Sequence, residues 1–181
     1  PLVTTKNLGT NLEDIDTAVS ILRLGGLVAI PTETVYGLAA DATNENAVLK
    51  IFEAKGRPPY NPLIIHVKNT RMAEEYIQWN DAAQTLAEKF WPGPLTIVLP
   101  SRTNSKIAKT ARASLPSIAV RMPNHPVALN ILDQLDRPLA APSANLSGKI
   151  SATSADHVLT NLNEKIDAII DAGSSSVGVE S

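Results

Sequence analysis

KGRPPYNPLIIHV, residues 55–67, decides how the chain is read, because it holds a helix end, a stiff bend and the start of a strand. Lys55 and Arg57 flank Gly56, prolines follow at 58, 59 and 62, and an apolar run from Leu63 takes in His66. Each proline fixes φ at about −65° and removes a backbone donor. A stiff bend keeps two cations together without ordering them anew for each ligand, which suits a polyanion such as a triphosphate. The plainer reading is a helix finished by Lys55, with Gly56 as its left-handed cap and the prolines as its stop. Lys55 and Gly56 fit both readings; the plainer one leaves Arg57, Asn61 and His66 unexplained.

On the N-terminal side, Asn11 is placed to cap a helix over 11–24, with Ile15, Ala18, Val19 and Leu22 on one face. Residues 27–30 (LVAI) read as a buried strand, and PTETVYGL, 31–38, as the loop at its end, a common place for ligand contacts. Thr43 or Asn44 caps a helix through Lys55. On the C-terminal side the pattern predicts a strand at 63–67 and a helix from about 70. A second helix over 81–90 has Gln84 placed for a capping box, and WPGP at 91–94 stops it. Strands follow at 95–99, 117–121, 139–141 and 166–170, and helices at 126–135 and 154–162. Residues 101–116 read as irregular, with one helical turn around Ile107, and SANLSG, 143–148, as a loop of small hydrogen-bonding groups. This alternation indicates an α/β class: a single-domain mixed sheet, parallel and antiparallel, with flanking helices.

Composition narrows the function classes. The chain has 181 residues, enough for one domain, and 44% hydrophobic content, enough for a core. Its net charge of −2 excludes a globally basic nucleic-acid binder, though not a local basic face. There is no cysteine, which removes disulfides, thiolate nucleophiles and Cys-ligated zinc. No apolar run approaches the ~18–20 residues that span a bilayer. No secretory signal is visible and the first residue is Pro1, so a processed or trimmed, soluble cytoplasmic protein is expected.

The familiar catalytic patterns are missing. Gly148-Lys149 is followed by Ile150, which rules out a P-loop, and GxGxxG, HExxH, GxSxG and SxxK do not occur. His125 reads as a turn residue and His157 as a solvated helix residue. His66 lies inside an apolar strand, as either a satisfied core histidine or a ligand. What remains is a set of strand-end groups: Thr32 and Thr34, Lys55 and Arg57, His66, Ser117 and Arg121, Ser143 and Asn145. Three cations, several hydroxyls and no acid pair suit a nucleotide with a carboxylate, and do not suit glycoside hydrolysis.

PTETVYGL, KGRPPYNPLIIHV, FWPGPLTIVL, IAVRMPNHP, APSANLSG and the closing GVES, in that order, resemble the YrdC-like family of threonylcarbamoyl-AMP synthases. The blocks run from Gly26 to Ser181, and the KxR and SxN elements (Lys55 to Arg57, Ser143 to Asn145) are the most characteristic. The resemblance implies a twisted sheet with a concave, positively lined cavity. It implies synthesis of threonylcarbamoyl-AMP from L-threonine, bicarbonate and ATP, with release of pyrophosphate, for tRNA modification. It assigns ATP to Lys55, Arg57, Asn61, Ser117, Ser143, Asn145 and Ser151, with Lys55, Arg57, Ser143 and Asn145 as the catalytic set. It assigns L-threonine to Thr34, His66, Arg121, Ala141 and Ser181. Mg²⁺ is expected on the ATP phosphates rather than in a protein cage. The implied partners are tRNA or other RNA and downstream threonylcarbamoyl-transfer proteins, with no membrane. Members of the family end differently from this chain, so a C-terminal continuation past GVES is expected to be missing. Two alternatives stand beside this reading: an RNA-binding module, and a carbamoyl-transfer domain of the hydrogenase-maturation type.

Overall fold

The computed structural model describes residues 3–173. The chain builds β1 (Lys6–Leu8), α1 (Leu12–Arg23), β2 (Val28–Ile30), β3 (Gly37–Asp41), α2 (Glu45–Lys55), β4 (Ile65–His66) and α3 (Thr70–Glu74). It continues through α4 (Asp81–Phe90), β5 (Ile97–Pro100), β6 (Ser117–Arg121), α5 (Pro126–Leu135), β7 (Leu139–Ala140), α6 (Ala155–Leu162) and β8 (Ala168–Ile170). The eight strands form one sheet in the order β1-β8-β2-β3-β7-β4-β6-β5. β8 runs parallel to β1 and β2, and β4 parallel to β6; the other pairs are antiparallel. The expected mixed α/β sheet is therefore present. No helix among the described residues is long and apolar enough to cross a membrane.

Local chemistry explains the helix ends. Asn11, Asn44, Asn69, Asn80 and Ser154 each accept a backbone N–H of the first turn they cap. His125, expected in a turn, caps α5 through Nδ1, which accepts from Val127 N at 3.1 Å. Gln84 does not complete a capping box: its Oε1 accepts from Trp79 Nε1 at 2.8 Å and its Nε2 donates to Glu88. The helical turn expected around Ile107 lies at Thr110–Arg112.

Alternation along the strands sorts the sheet into two faces. One face contributes Ala29, Leu38, Ala40, Ile65, Val120 and Ile169 to a large core with Val48, Ile51 and Phe52 of α2 and Val158 of α6. The other contributes Val28, Ile30, Ala39, Leu139 and Ile170 to a smaller core under α1 and α5. No residue of β4, β5 or β6 joins that smaller core. On β4 and β6 this second face carries His66 and Arg121, directly paired in the parallel register. The fold thus leaves a polar, buried stretch of sheet beyond the edge of the apolar core under α1 and α5.

β3 is absent from the sequence expectation. Its five residues, GLAAD, are all buried, so no polar alternation marks it, and Gly, Ala and Asp have low strand preference. Its far end is fixed by Asp41, which accepts from Thr43 N at 2.9 Å, Thr43 Oγ1 at 2.6 Å and Arg137 Nη1 at 2.8 Å. Asp41 is buried, so its loss strands several donors. Asp41→Ala is expected to cost about 2–3 kcal/mol in denaturant unfolding, discounted because Arg137 is partly exposed. Asp41→Asn, which keeps the turn, is expected to recover roughly half of that loss.

Candidate functional site

A cavity of about 230 Å³ opens at this polar stretch. The strand ends build it. β2 delivers Thr32 and Thr34, β3 brings Gly37, β4 brings Ile64 and His66, β6 brings Arg121, and the segment after β7 brings Ala141, Pro142 and Ser143. Arg57 and Pro62 close the side from the proline-rich bend.

The Thr32–Thr34 wall is held by its own hydroxyls. Thr32 Oγ1 donates to Val35 O at 2.6 Å and accepts from Thr34 N at 3.2 Å, and the two hydroxyls lie 3.1 Å apart. The floor is a close backbone approach. Leu38 N donates to Pro142 O at 2.7 Å and Ala144 N to Tyr36 O at 2.8 Å. A Cβ on Gly37 would sit 3.2 Å from that of Ala141, so glycine fits here through its lack of bulk.

The Lys55 segment ends α2 as the plainer reading has it, but the two cations do not face one space together. Gly56 has φ of 65° and caps α2, while Arg57 N bonds back to Phe52 O at 3.0 Å. That bend throws the Arg57 side chain toward the cavity, its guanidinium 5.3 Å from the Phe52 ring. Lys55 does something different. It is 2% exposed, and its Nζ donates to Ser143 O at 2.5 Å and Asn145 O at 2.7 Å, with Asn145 Oδ1 at 3.4 Å. Its carbonyl also accepts from Ser147 N at 2.9 Å. Asn145 in turn donates from Nδ2 to Leu146 O and Lys149 O. Lys55 therefore stands behind the Ser143–Asn145 loop and grips its backbone; it does not line the cavity.

Arg121 and His66 form the deep end, both buried. Arg121 Nε donates to Gly93 O at 3.2 Å, Nη1 reaches His66 Nε2 at 3.4 Å, and Nη2 donates to Glu33 Oε1. His66 Nδ1 lies 3.2 Å from Ile64 O. Since a carbonyl only accepts, Nδ1 carries the proton and Nε2 turns its lone pair to Arg121. Burial, followed by the charge of Arg121, lowers the His66 pKa from 6.5 to about 3, so the ring is neutral. Glu33 Oε2 accepts from Asn124 N at 2.8 Å.

The structure gathers Thr34, Arg57, His66, Arg121, Ala141 and Ser143 around one space, with Lys55 and Asn145 behind its wall. Asn61 is exposed on the bend and does not line the cavity. Ser117 lies at the opposite end of β6 from Arg121, paired with Pro100. Ser151 lines a neighbouring surface hollow with Leu146, Lys149 and His157. Ser181 and the GVES block fall outside the described residues. Glu33 is the residue sequence reasoning missed. A lone acid between two threonines reads as solvated, and only its contact with Arg121 shows otherwise.

The family model for Sua5, YciO and YrdC proteins, described as Telomere recombination, matches residues 20–181. The threonylcarbamoyl-AMP synthase of Pyrococcus abyssi is 51% identical over 165 residues, which is 91% of this chain and 48% of the relative. That of Bacillus subtilis is 47% identical over 178 residues, 98% of this chain and 51% of the relative. The crystal structure of P. abyssi Sua5 complexed with L-threonine superposes with a TM-score of 0.93 at 47% identity, covering 99% of this chain and 53% of that one. The chain spans about half the length of the curated relatives it matches.

The neutral His66 has a consequence for stability. Below pH 6.5 the unfolded chain takes up a proton that the folded chain refuses until about pH 3. The contribution of His66 is thus complete above pH 6.5 and falls by up to about 1.4 kcal/mol per pH unit on acidification. In paired denaturant titrations from pH 7.5 to 4, the stability difference between wild type and His66→Gln should move steadily in favour of the variant as pH drops. A difference that stays constant with pH would contradict the buried, neutral imidazole.

Proposed function

The chain belongs to the Sua5/YciO/YrdC family, and on that footing we propose that it makes threonylcarbamoyl-AMP from L-threonine, bicarbonate and ATP. Pyrophosphate and water are the other products. The product serves threonylcarbamoyl transfer to tRNA, and the protein works in the cytoplasm. The names of the synthase relatives and the threonine carried by the P. abyssi structure support the substrate class. The observation that carries the reading is the single cavity holding Arg121, neutral His66, Arg57 and Ser143. The matches at 47–51% identity favour neither an RNA-binding module nor a hydrogenase-maturation domain.

The cavity is smaller than the ~300–1,000 Å³ of a drug-sized site, so it suits the amino acid and the reacting carbonyl, with the nucleoside outside. Arg121 takes the threonine carboxylate through charge-assisted hydrogen bonds. The Thr34 hydroxyl and the edge of the His66 ring stand beside the rest of the amino acid, and a neutral ring adds no second positive charge there. The threonine amine attacks the bicarbonate carbon; a C–N bond forms, water leaves and a carbamate results. A carbamate oxygen then attacks the α-phosphorus, and the bond from that phosphorus to the bridging oxygen of pyrophosphate breaks. Negative charge gathers on the phosphoryl oxygens, where Arg57 and the Ser143 segment stabilise it. No protein nucleophile is needed, and the enclosing wall keeps water from the mixed anhydride.

Lys55 enters as a positioning residue. Its ammonium fixes the carbonyls of Ser143 and Asn145 and so sets where the Ser143 hydroxyl and neighbouring N–H groups stand. Among the described residues no group of three or more His, Asp or Glu could hold a metal ion. Mg²⁺ would enter with the nucleotide rather than through a protein cage, and would supply charge compensation for the leaving group.

Pyrophosphate release from ATP that requires both threonine and bicarbonate tests the proposal; release that ignores either one contradicts it. Arg57→Ala is expected to lose about 10²-fold or more of that activity with an unchanged melting temperature. Lys55→Met is expected to lose activity together with about 2–4 kcal/mol of stability, since the loop carbonyls lose a buried charged donor. Full activity in Arg57→Ala would remove its phosphate role.

A further inference from the structure

The side chain of Arg121 is 4% exposed, and each of its three nitrogens already has a protein partner. Gly93 O and His66 are neutral partners. Glu33 alone among them brings a negative charge. The cation that should receive an incoming carboxylate is therefore already neutralised by a carboxylate of the chain itself.

We propose that Glu33 is an internal counter-carboxylate that the substrate replaces. It holds Nη2 of Arg121 while no amino acid is bound and gives that nitrogen up to the substrate carboxylate, so it sets affinity and selectivity at the amino-acid end of the cavity. The inference rests on Arg121 as the partner of the substrate carboxylate. Three features point to exchange. A second carboxylate on the same guanidinium would meet Glu33 at close range in a poorly hydrated space, where like charges repel strongly. Glu33 is 13% exposed, whereas Arg121 is nearly sealed, so the acid is the member with access to water once released. Its second oxygen is tied to Asn124 N, at an exposed position, so the side chain stays anchored at the rim when Oε1 lets go.

Exchange also separates the two substrates. With Arg121 neutralised, a nucleotide's phosphates are not drawn to the deep end. Arg57 has no carboxylate partner among the described residues and remains the cation open to them. A ligand without a carboxylate, such as an amino-acid amide, has nothing with which to displace Glu33.

Titration calorimetry with wild type, Glu33→Gln and Glu33→Ala, each checked for folding by circular dichroism, tests this. Removing the internal rival is expected to tighten L-threonine binding about tenfold in both variants. L-Threoninamide, which has no carboxylate, is expected to bind the variants no more tightly than wild type. Threonine affinity that is unchanged or weaker in the folded variants overturns the exchange, as does equal tightening for threoninamide. If the wild type binds no threonine at all, the reading of the cavity falls first and the role of Glu33 falls with it.

Discussion

The ammonium of Lys55 joins the two segments on which the site depends. It leaves the last turn of α2 and ends between the carbonyls of Ser143 and Asn145, buried among backbone groups. A buried charge has to be met by hydrogen-bonding partners, and here those partners are the loop itself. The loop therefore cannot relax away without exposing or orphaning the cation. The return bond from Ser147 N to the Lys55 carbonyl closes the same link from the other side. Once α2 and this loop are locked together, Gly56 and the prolines can turn Arg57 inward against a wall that does not move.

The sheet supplies the second half of the arrangement. α1 and α5 cover one face only as far as β7, and the parallel register of β4 and β6 sets His66 beside Arg121 where that cover ends. Burial makes the imidazole neutral, and the neutral imidazole can then accept from the guanidinium. Glu33 balances the charge that remains. The cavity is consequently less positive than a count of its basic residues suggests. One cation is spent on the backbone, one is countered by an acid, and Arg57 is left facing the space.

Much of this was legible in the chain. Asparagine and serine caps, the Gly56 turn and the apolar faces of α1, α2 and α5 are local signals, and the helices fall where those signals lie. β3 was not legible, because a strand buried on both faces loses its alternation and GLAAD has no strand preference of its own. The cations near the SxN loop were readable as residue types, but the division of labour between Lys55 and Arg57 was not. Two residues apart across a left-handed glycine, they point to different sides of one wall, and only the folded backbone decides which faces in. Glu33 was invisible for a related reason. Its partner lies 88 residues away in sequence, and neither neighbouring threonine marks it as anything but a loop acid.

The proposed reaction needs one space that takes the amino acid at Arg121 and His66 and the reacting phosphates at Arg57 and Ser143. A crystal structure of the protein with L-threonine and a non-hydrolysable ATP analogue tests this directly. The predicted result is a threonine carboxylate on Arg121, with the α-phosphate between the amino acid and Arg57. An α-phosphate away from Arg57 and Ser143, or an amino acid away from Arg121, would contradict it.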